Sequence, residues 1–173
     1  MPINQKPHIH ENVVCANIFV RKDGKYLLLK RSKKKKYAAG VLHPIGGKVD
    51  KNENPFVAAQ REVLEEANIT VKNMRLEAVI LEINPPDDKE SGCNWLVFHF
   101  SADYDSGEVG TTEEGELVLF ETDKIKKQEL FASVREVIDH ILDPNDGTVF
   151  MTTVFDDDGN VIYKESKINQ CVI

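Results

Sequence analysis

Runs of Val, Ile, Leu and Phe separated by short polar stretches divide the chain into elements. Residues 11–20, ENVVCANIFV, predict a strand. RKDGK turns on Asp23-Gly24, and YLLLKR returns as the second arm of a hairpin. SKKKKYAAG reads as an exposed loop. The span from Pro55 to Ala67 predicts a helix, with Asn54 as N-cap, Pro55 in the first turn and Asn68 as a left-handed stop. Its apolar members Val57, Ala58, Val63 and Leu64 are expected on one face, leaving the glutamates on another. RLEAVILEI and NWLVFHFSA predict two further strands on either side of the polar NPPDDKESG, and Trp95 reads as a core position within the second. An acidic loop, DYDSGEVGTTEEGE, leads to a short strand, LVLFE. Ser133 and Glu136 fit a capping box that opens the helix SVREVIDHIL. TVFMTTVFDDDGNVIYK predicts a C-terminal β-hairpin turning at Asp158-Gly159. Two well-separated helices among many strands predict an α+β fold: an αβα sandwich around a mixed β-sheet, in a single domain over residues 1–173.

Charge narrows the choice of partner. Acidic residues outnumber basic ones by 29 to 22, a formal net charge of −7, in a chain that is 41% hydrophobic and 29% charged. That balance argues against a nucleic-acid polymer. It is compatible with a small anionic ligand, because a metal ion can bridge two anions. No apolar run approaches the roughly 18 residues needed to span a bilayer. The N-terminal MPINQKPHIHENVV lacks the apolar segment of a signal peptide. Cys15, Cys93 and Cys171 are odd in number and far apart, and read as reduced thiols. These features predict a cytoplasmic protein with no membrane contact, as a monomer or homodimer.

The first helix carries the candidate chemistry. Glu62, Glu65 and Glu66 stand at i, i+3 and i+4, neighbours on one helical face. They crowd toward its C-terminal half, where the macrodipole disfavours anions. No lysine lies between Asn52 and Asn68 to offset them. A solvated acidic face is the plain reading of such a cluster. A divalent cation resolves the repulsion better, since Mg²⁺ prefers carboxylate oxygens and shares its other positions with water and phosphate. Upstream, Gly46-Gly47 allows close approach of backbone to a ligand.

The spacing is more specific than the charge. Gly47, five residues, Glu53, seven residues, Arg61-Glu62, an apolar pair, Glu65-Glu66, one residue, then Asn68-Ile69: this resembles the Nudix box of the MutT-type hydrolases. One position departs, Asn68 replacing a glycine, and Asn is the next best residue for a left-handed conformation. The resemblance implies a hydrolase acting on a nucleoside diphosphate linked to another group, with Mg²⁺ as cofactor and Mn²⁺ as a substitute. It implies metal ligands at Glu62, Glu65 and Glu66, with Glu66 central, a carbonyl of Gly46 or Gly47 beside them, and Glu62 or Glu65 as general base. It implies that Glu53 pairs with Arg61, which orients the site. A further glutamate from a downstream loop is implied, with Glu113, Glu114 and Glu116 available and Glu114 favoured by counting back from Asp123-Lys124-Ile125.

Substrate choice lies outside the box. LHPIGGKVD is similar to the W-N-G-F-G-G-K-V stretch of the oxidised-purine nucleotide hydrolases, which implies base contact by His43, an aromatic stack by Phe131 and a substrate contact at Lys48. That group carries an aspartate pair two residues after the aromatic, where this chain has Ser133 and Val134. The expected reaction is hydrolysis of a nucleoside triphosphate, with oxidised purines as a candidate class, to monophosphate and pyrophosphate. Pro85 and Pro86 instead fit, approximately, the ADP-ribose branch. A nucleotide-sensing module without catalysis is the reading from another class, and such modules tend to lose box carboxylates that this chain keeps. The basic run Arg31 to Lys36 reads as an exposed loop able to attract polyphosphate.

Overall fold

In a computed structural model, which describes residues 12–34, 39–84, 94–109, 114–143 and 147–169, nine strands form one mixed sheet. The elements run β1 (Asn12–Lys22), β2 (Lys25–Arg31), β3 (Leu42–His43), β4 (Ile45–Lys48), α1 (Pro55–Ala67), β5 (Ile69–Ile83), β6 (Asn94–Gly107), β7 (Gly115–Glu121), α2 (Thr122–Ile125), α3 (Ala132–Leu142), β8 (Thr148–Phe155) and β9 (Val161–Asn169). The strand order is β3-β2-β1-β6-β5-β8-β9, with β4 also on β1 and β7 also on β2. β1–β6 and β5–β8 are parallel pairs, and the rest are antiparallel.

Helices cover both faces, as expected of the sandwich. Ala58, Ala59, Val63 and Ala67 of α1 pack on Ile18, Ile45 and Phe100. Val134, Val137, Ile138 and Ile141 of α3 pack on Ala78, Ile80 and Met151. Full burial of each such aliphatic side chain is worth about 1.5–3 kcal/mol relative to exposure. The α1 face differs from the one expected: Val57 and Leu64 are 46% and 55% exposed. The helix lies close to the glycine-bearing strand β4 and packs there through a stripe of small residues.

Local turns follow the sequence. Asp23 and Gly24 both have positive φ, 51° and 73°, as the tight β1–β2 hairpin requires. The β8–β9 hairpin forms with Gly159 in its turn. Other boundaries move. β5 begins at Ile69, because Ile69, Thr70 and Val71 pair with Gly107, Ser106 and Tyr104. That pairing turns the start of the expected acidic loop into strand. β3, β4 and the short α2 were not expected. The capping box does not form: Phe131 is the N-cap of α3 and no side chain caps it. Ser133 is inside the helix, buried, and hydrogen-bonds Glu82. Glu136 takes Lys164 of β9 at 2.5 Å. Trp95 is only half-buried and lines a cavity instead of the core. Among the described residues no helix is long and apolar enough to cross a membrane. Cys15 is buried, and burial pushes its thiol up to about 11. Cys93, Cys171, Pro85, Pro86, Lys35, Lys36 and Glu113 lie outside the described residues.

Candidate active site

Two glycines fit the site to the sheet. β4 pairs with β1, Gly46 opposite Asn17 and Gly47 opposite Ala16. A Cβ on Gly46, at φ 151°, would lie 2.2 Å from the Ala16 carbonyl oxygen. A Cβ on Gly47 would meet something different, the Glu62 carboxylate, at 2.5 Å from Oε1. Glu62 therefore occupies the space that any side chain at position 47 would fill.

The helix that carries the carboxylates is fixed at both ends. Asn54 Oδ1 accepts from the Phe56 and Val57 N–H groups at 3.0 and 3.1 Å. Asn68 closes it in the left-handed region, φ 54°, its N–H donating to the Leu64 carbonyl at 3.1 Å. The asparagine that replaces a glycine in the box thus adopts the conformation that glycine would supply.

Arg61 is the hub of the loop–helix junction. Its Nε and Nη2 donate to the two oxygens of Glu53 at 3.1 and 3.0 Å. Nη1 reaches Glu62 Oε1 at 2.8 Å and Glu65 Oε2 at 3.0 Å, and Nη2 also donates to the Lys48 carbonyl at 3.1 Å. Glu53 accepts the Asp50 N–H as well, at 3.1 Å. Hydrogen bonding from Arg61 holds the Glu53 carboxyl below the usual carboxylate range.

Glu66 stands apart from this network. Its Oε2 accepts the Gly46 N–H at 3.2 Å. Burial pushes its carboxyl up to about 7, and the charges of Glu62 and Glu114 add to the rise. Glu62 is also raised, by burial first, with Arg61 opposing. Glu65 is mostly exposed and held on Arg61, away from the cavity.

Glu66 opens onto a cavity of about 760 Å³. Glu114 lines the same cavity, its carbonyl accepting the Ser32 N–H at 2.9 Å, and Arg31 and Lys48 line it too. Glu116 is exposed on β7 and outside the cavity. His43 and Phe131 meet edge to face, ring centroids 5.4 Å apart, and both line the wall. Phe131 is brought there by backbone bonds between its loop and Leu42. His43 Nδ1 lies 2.5 Å from the Pro44 carbonyl, and burial pushes the ring down to about 4, so it is neutral and donates from Nδ1. Lys48 Nζ sits 5.7 Å from the centroid of the Trp95 ring.

The side chains here are of the kind that suits a hard divalent cation. Glu62, Glu66 and Glu114 carry carboxylate oxygens, the charges of Glu62 and Glu114 both bear on Glu66, and the bare backbone of Gly46-Gly47 borders them. Among the described residues no three acidic, thiol or imidazole groups yet converge within one ion's reach. Arg61 holds Glu62 and Glu65 in the present arrangement.

The sequence reading missed Glu82. It lines the cavity from β5, and burial pushes its carboxyl up against the pull of the Ser133 hydroxyl. The signal was its parity: Ala78, Ile80 and Glu82 alternate onto the same sheet face, and the first two are fully buried.

Comparison with known proteins agrees with this geometry. Residues 9–141 match the NUDIX domain family model. The fold is similar to that of a MutT protein from Bacillus halodurans, at TM-score 0.78 and 22% identity, covering 90% of this chain and 97% of that one. A MutT NUDIX hydrolase from Burkholderia pseudomallei is similar at TM-score 0.65 and 28% identity, over 76% of this chain and 99% of that one. The NAD-capped RNA hydrolase NudC of Photorhabdus laumondii is 33% identical over 107 residues, which is 59% of this chain and 37% of NudC. The match thus spans well under half the length of that curated relative. With the box carboxylates ranged beside the Gly46-Gly47 strand of an αβα sandwich, and the family match running over most of the chain, the chain belongs to the NUDIX domain family, the family of the Nudix hydrolases.

Proposed function

We propose that the protein hydrolyses nucleoside triphosphates to monophosphate and pyrophosphate with Mg²⁺, oxidised purine deoxynucleotides being a candidate class. The observation that carries this reading is Glu66: a desolvated carboxylate at the glycine strand, beside Glu62 and Glu114, opening onto a cavity of nucleotide size. Glu62, Glu66, Glu114 and a carbonyl of Gly46 or Gly47 would hold the cation. When bound, it neutralises phosphate charge and lowers the pKa of a nearby water.

The chain's own groups supply the remaining requirements. Of the two candidate bases Glu62 is the more enclosed, its side chain 12% exposed against 57% for Glu65, although both share Arg61 Nη1. It takes a proton from the attacking water as the new phosphorus–oxygen bond forms and pyrophosphate leaves. Arg61 keeps Glu53 off the cation and ties the loop to the helix. Lys48 and Arg31 bring to the cavity the positive charge that a phosphate chain needs, and His43 and Phe131 give it an aromatic wall. A protein of this kind is expected to act as monomer or homodimer in the cytoplasm.

A substrate panel with and without Mg²⁺ tests the reading. Metal-dependent release of pyrophosphate from a triphosphate supports it, and no turnover of any triphosphate sinks it. A second reading is cleavage of ADP-ribose or another nucleotide sugar, for which the sequence position of Pro85 speaks, or of a capped RNA end, for which the similarity to the NAD-capped RNA hydrolase NudC speaks. Its products would be two monophosphate groups and no pyrophosphate.

A further inference from the structure

The cavity wall mixes two kinds of chemistry. Gly46, Glu66 and Glu114 line it, and the charge of Glu114 bears on Glu66. Trp95, Val97, Phe131 and Val134 give it apolar surface. Beside Trp95, its partner in the β5–β6 register, a third carboxylate lines the cavity, Glu82.

Glu82 is built into the sheet. It pairs in register with Trp95 of β6 and Thr153 of β8. Its neighbours of the same parity, Ala78 and Ile80, are fully buried. A carboxylate in such a position is expensive unless partners satisfy it. Within the chain the Ser133 hydroxyl is what opposes the desolvation of Glu82. Glu82 therefore offers acceptor oxygens to the cavity, and the donors that would complete them fit a ligand.

We propose that Glu82, oriented by Ser133, is a specificity-determining residue that reads the nucleobase and selects a guanine-type edge. The inference rests on the reading of this cavity as a nucleotide site and names the base it takes. Guanine presents a ring N–H beside an amino group, two adjacent donors that match the two oxygens of a carboxylate. Adenine and cytosine present one amino group beside an acceptor nitrogen. Uracil and thymine flank one donor with two carbonyl acceptors, which a carboxylate repels. Oxidation at C8 leaves the guanine donor edge unchanged, so the preference covers both forms of the base. A buried group that lacks its hydrogen-bond partner discriminates strongly against the wrong ligand.

Trp95 makes the test independent of turnover. It is the only tryptophan in the chain and lines the cavity. GMP, AMP, CMP and UMP are titrated in Mg²⁺ against wild type and Glu82→Gln, following tryptophan fluorescence. Wild type is expected to bind GMP tightest. The amide of Glu82→Gln offers one donor and one acceptor, so its GMP affinity should fall about 10-fold or more while AMP holds or gains. The same base ranking in both proteins, no ranking in wild type, or no fluorescence change with any monophosphate at millimolar concentration overturns the proposal. Should Glu82→Gln fail to give a native circular dichroism spectrum, Ser133→Ala replaces it; unchanged GMP affinity in that variant overturns the proposal equally. A wild type that ranks the monophosphates as expected but cleaves no triphosphate keeps the base-reading role and refutes the hydrolysis. Equal turnover and equal binding of all bases refutes the base-reading role and keeps the hydrolysis.

Discussion

Arg61 grips Glu53 with two parallel bonds, Nε to Oε1 at 3.1 Å and Nη2 to Oε2 at 3.0 Å. The fork joins the loop after β4 to the second turn of α1 and leaves Nη1 for Glu62 and Glu65. Lysine would keep the charge and lose the planar two-point geometry. Arg61→Lys is expected to leave KM near wild type and to lower kcat about 10-fold or more, because Glu62 loses its fixed position. Steady-state kinetics on the best substrate decide it. A raised KM with unchanged kcat would mean that Arg61 contacts substrate.

Glu66 is the box carboxylate that faces the cavity most directly. Glu66→Gln keeps the shape and the capacity to accept the Gly46 N–H. Activity should fall on the order of 10²-fold or more with the fold intact. Isothermal titration with Mg²⁺ or Mn²⁺ should lose affinity in parallel. A variant with normal turnover contradicts the ligand assignment.

Gly47→Ala tests the packing of backbone against catalytic side chain. The added methyl would sit 2.5 Å from Glu62 Oε1, so the carboxylate must swing away. The flexible glutamate can give, and thermal stability should hold within about 1 kcal/mol. Turnover is expected to drop about 10-fold or more, the signature of a displaced catalytic group. If both stability and kcat match wild type, Glu62 is not needed where it stands.

His99 predicts a pH dependence of stability. It is fully buried beside Phe19, neither ring nitrogen has a hydrogen-bond partner, and burial pushes its pKa down to about 3. The unfolded chain binds a proton there below roughly pH 6.5, while the native state refuses it. Stability from this group is therefore complete above about pH 6.5 and is lost as pH falls, by roughly 1.4 kcal/mol per unit. Buried His43, down to about 4, acts with the same sign. Urea unfolding at pH 7 and pH 5 should show wild type losing about 2 kcal/mol more than His99→Leu. Equal losses would mean that His99 is charged in the native protein.

The features that were legible in the sequence are those set by near neighbours. Asn54, Pro55 and Asn68 mark α1 because capping and left-handed stops involve only a few adjacent residues. The Glu53–Arg61 pair, which the resemblance to the Nudix box implied, forms within one helix and its leading loop. The errors arise where distant strands decide. Val57 and Leu64 are apolar by type, yet α1 turns its alanines inward because the glycines of β4 allow close approach. Ser133 looks like a cap until β5 brings Glu82 across to it. Trp95 reads as core, and becomes a cavity wall facing residues of α3 and β4 that lie far from it in sequence.

β1 joins residues from widely separated parts of the chain. It pairs with β4 from Cys15 to Ile18 and, along its other edge, with β6 from Asn12 to Arg21. The β6 partners lie about 80 residues further along the sequence. Contacts of such separation form late, since a long loop must close before they stabilise anything. As the chain emerges from a ribosome, the glycine strand and its glutamate helix are made early, yet the scaffold that aligns them waits for β6. An incomplete chain would therefore carry every box residue without a working arrangement of them.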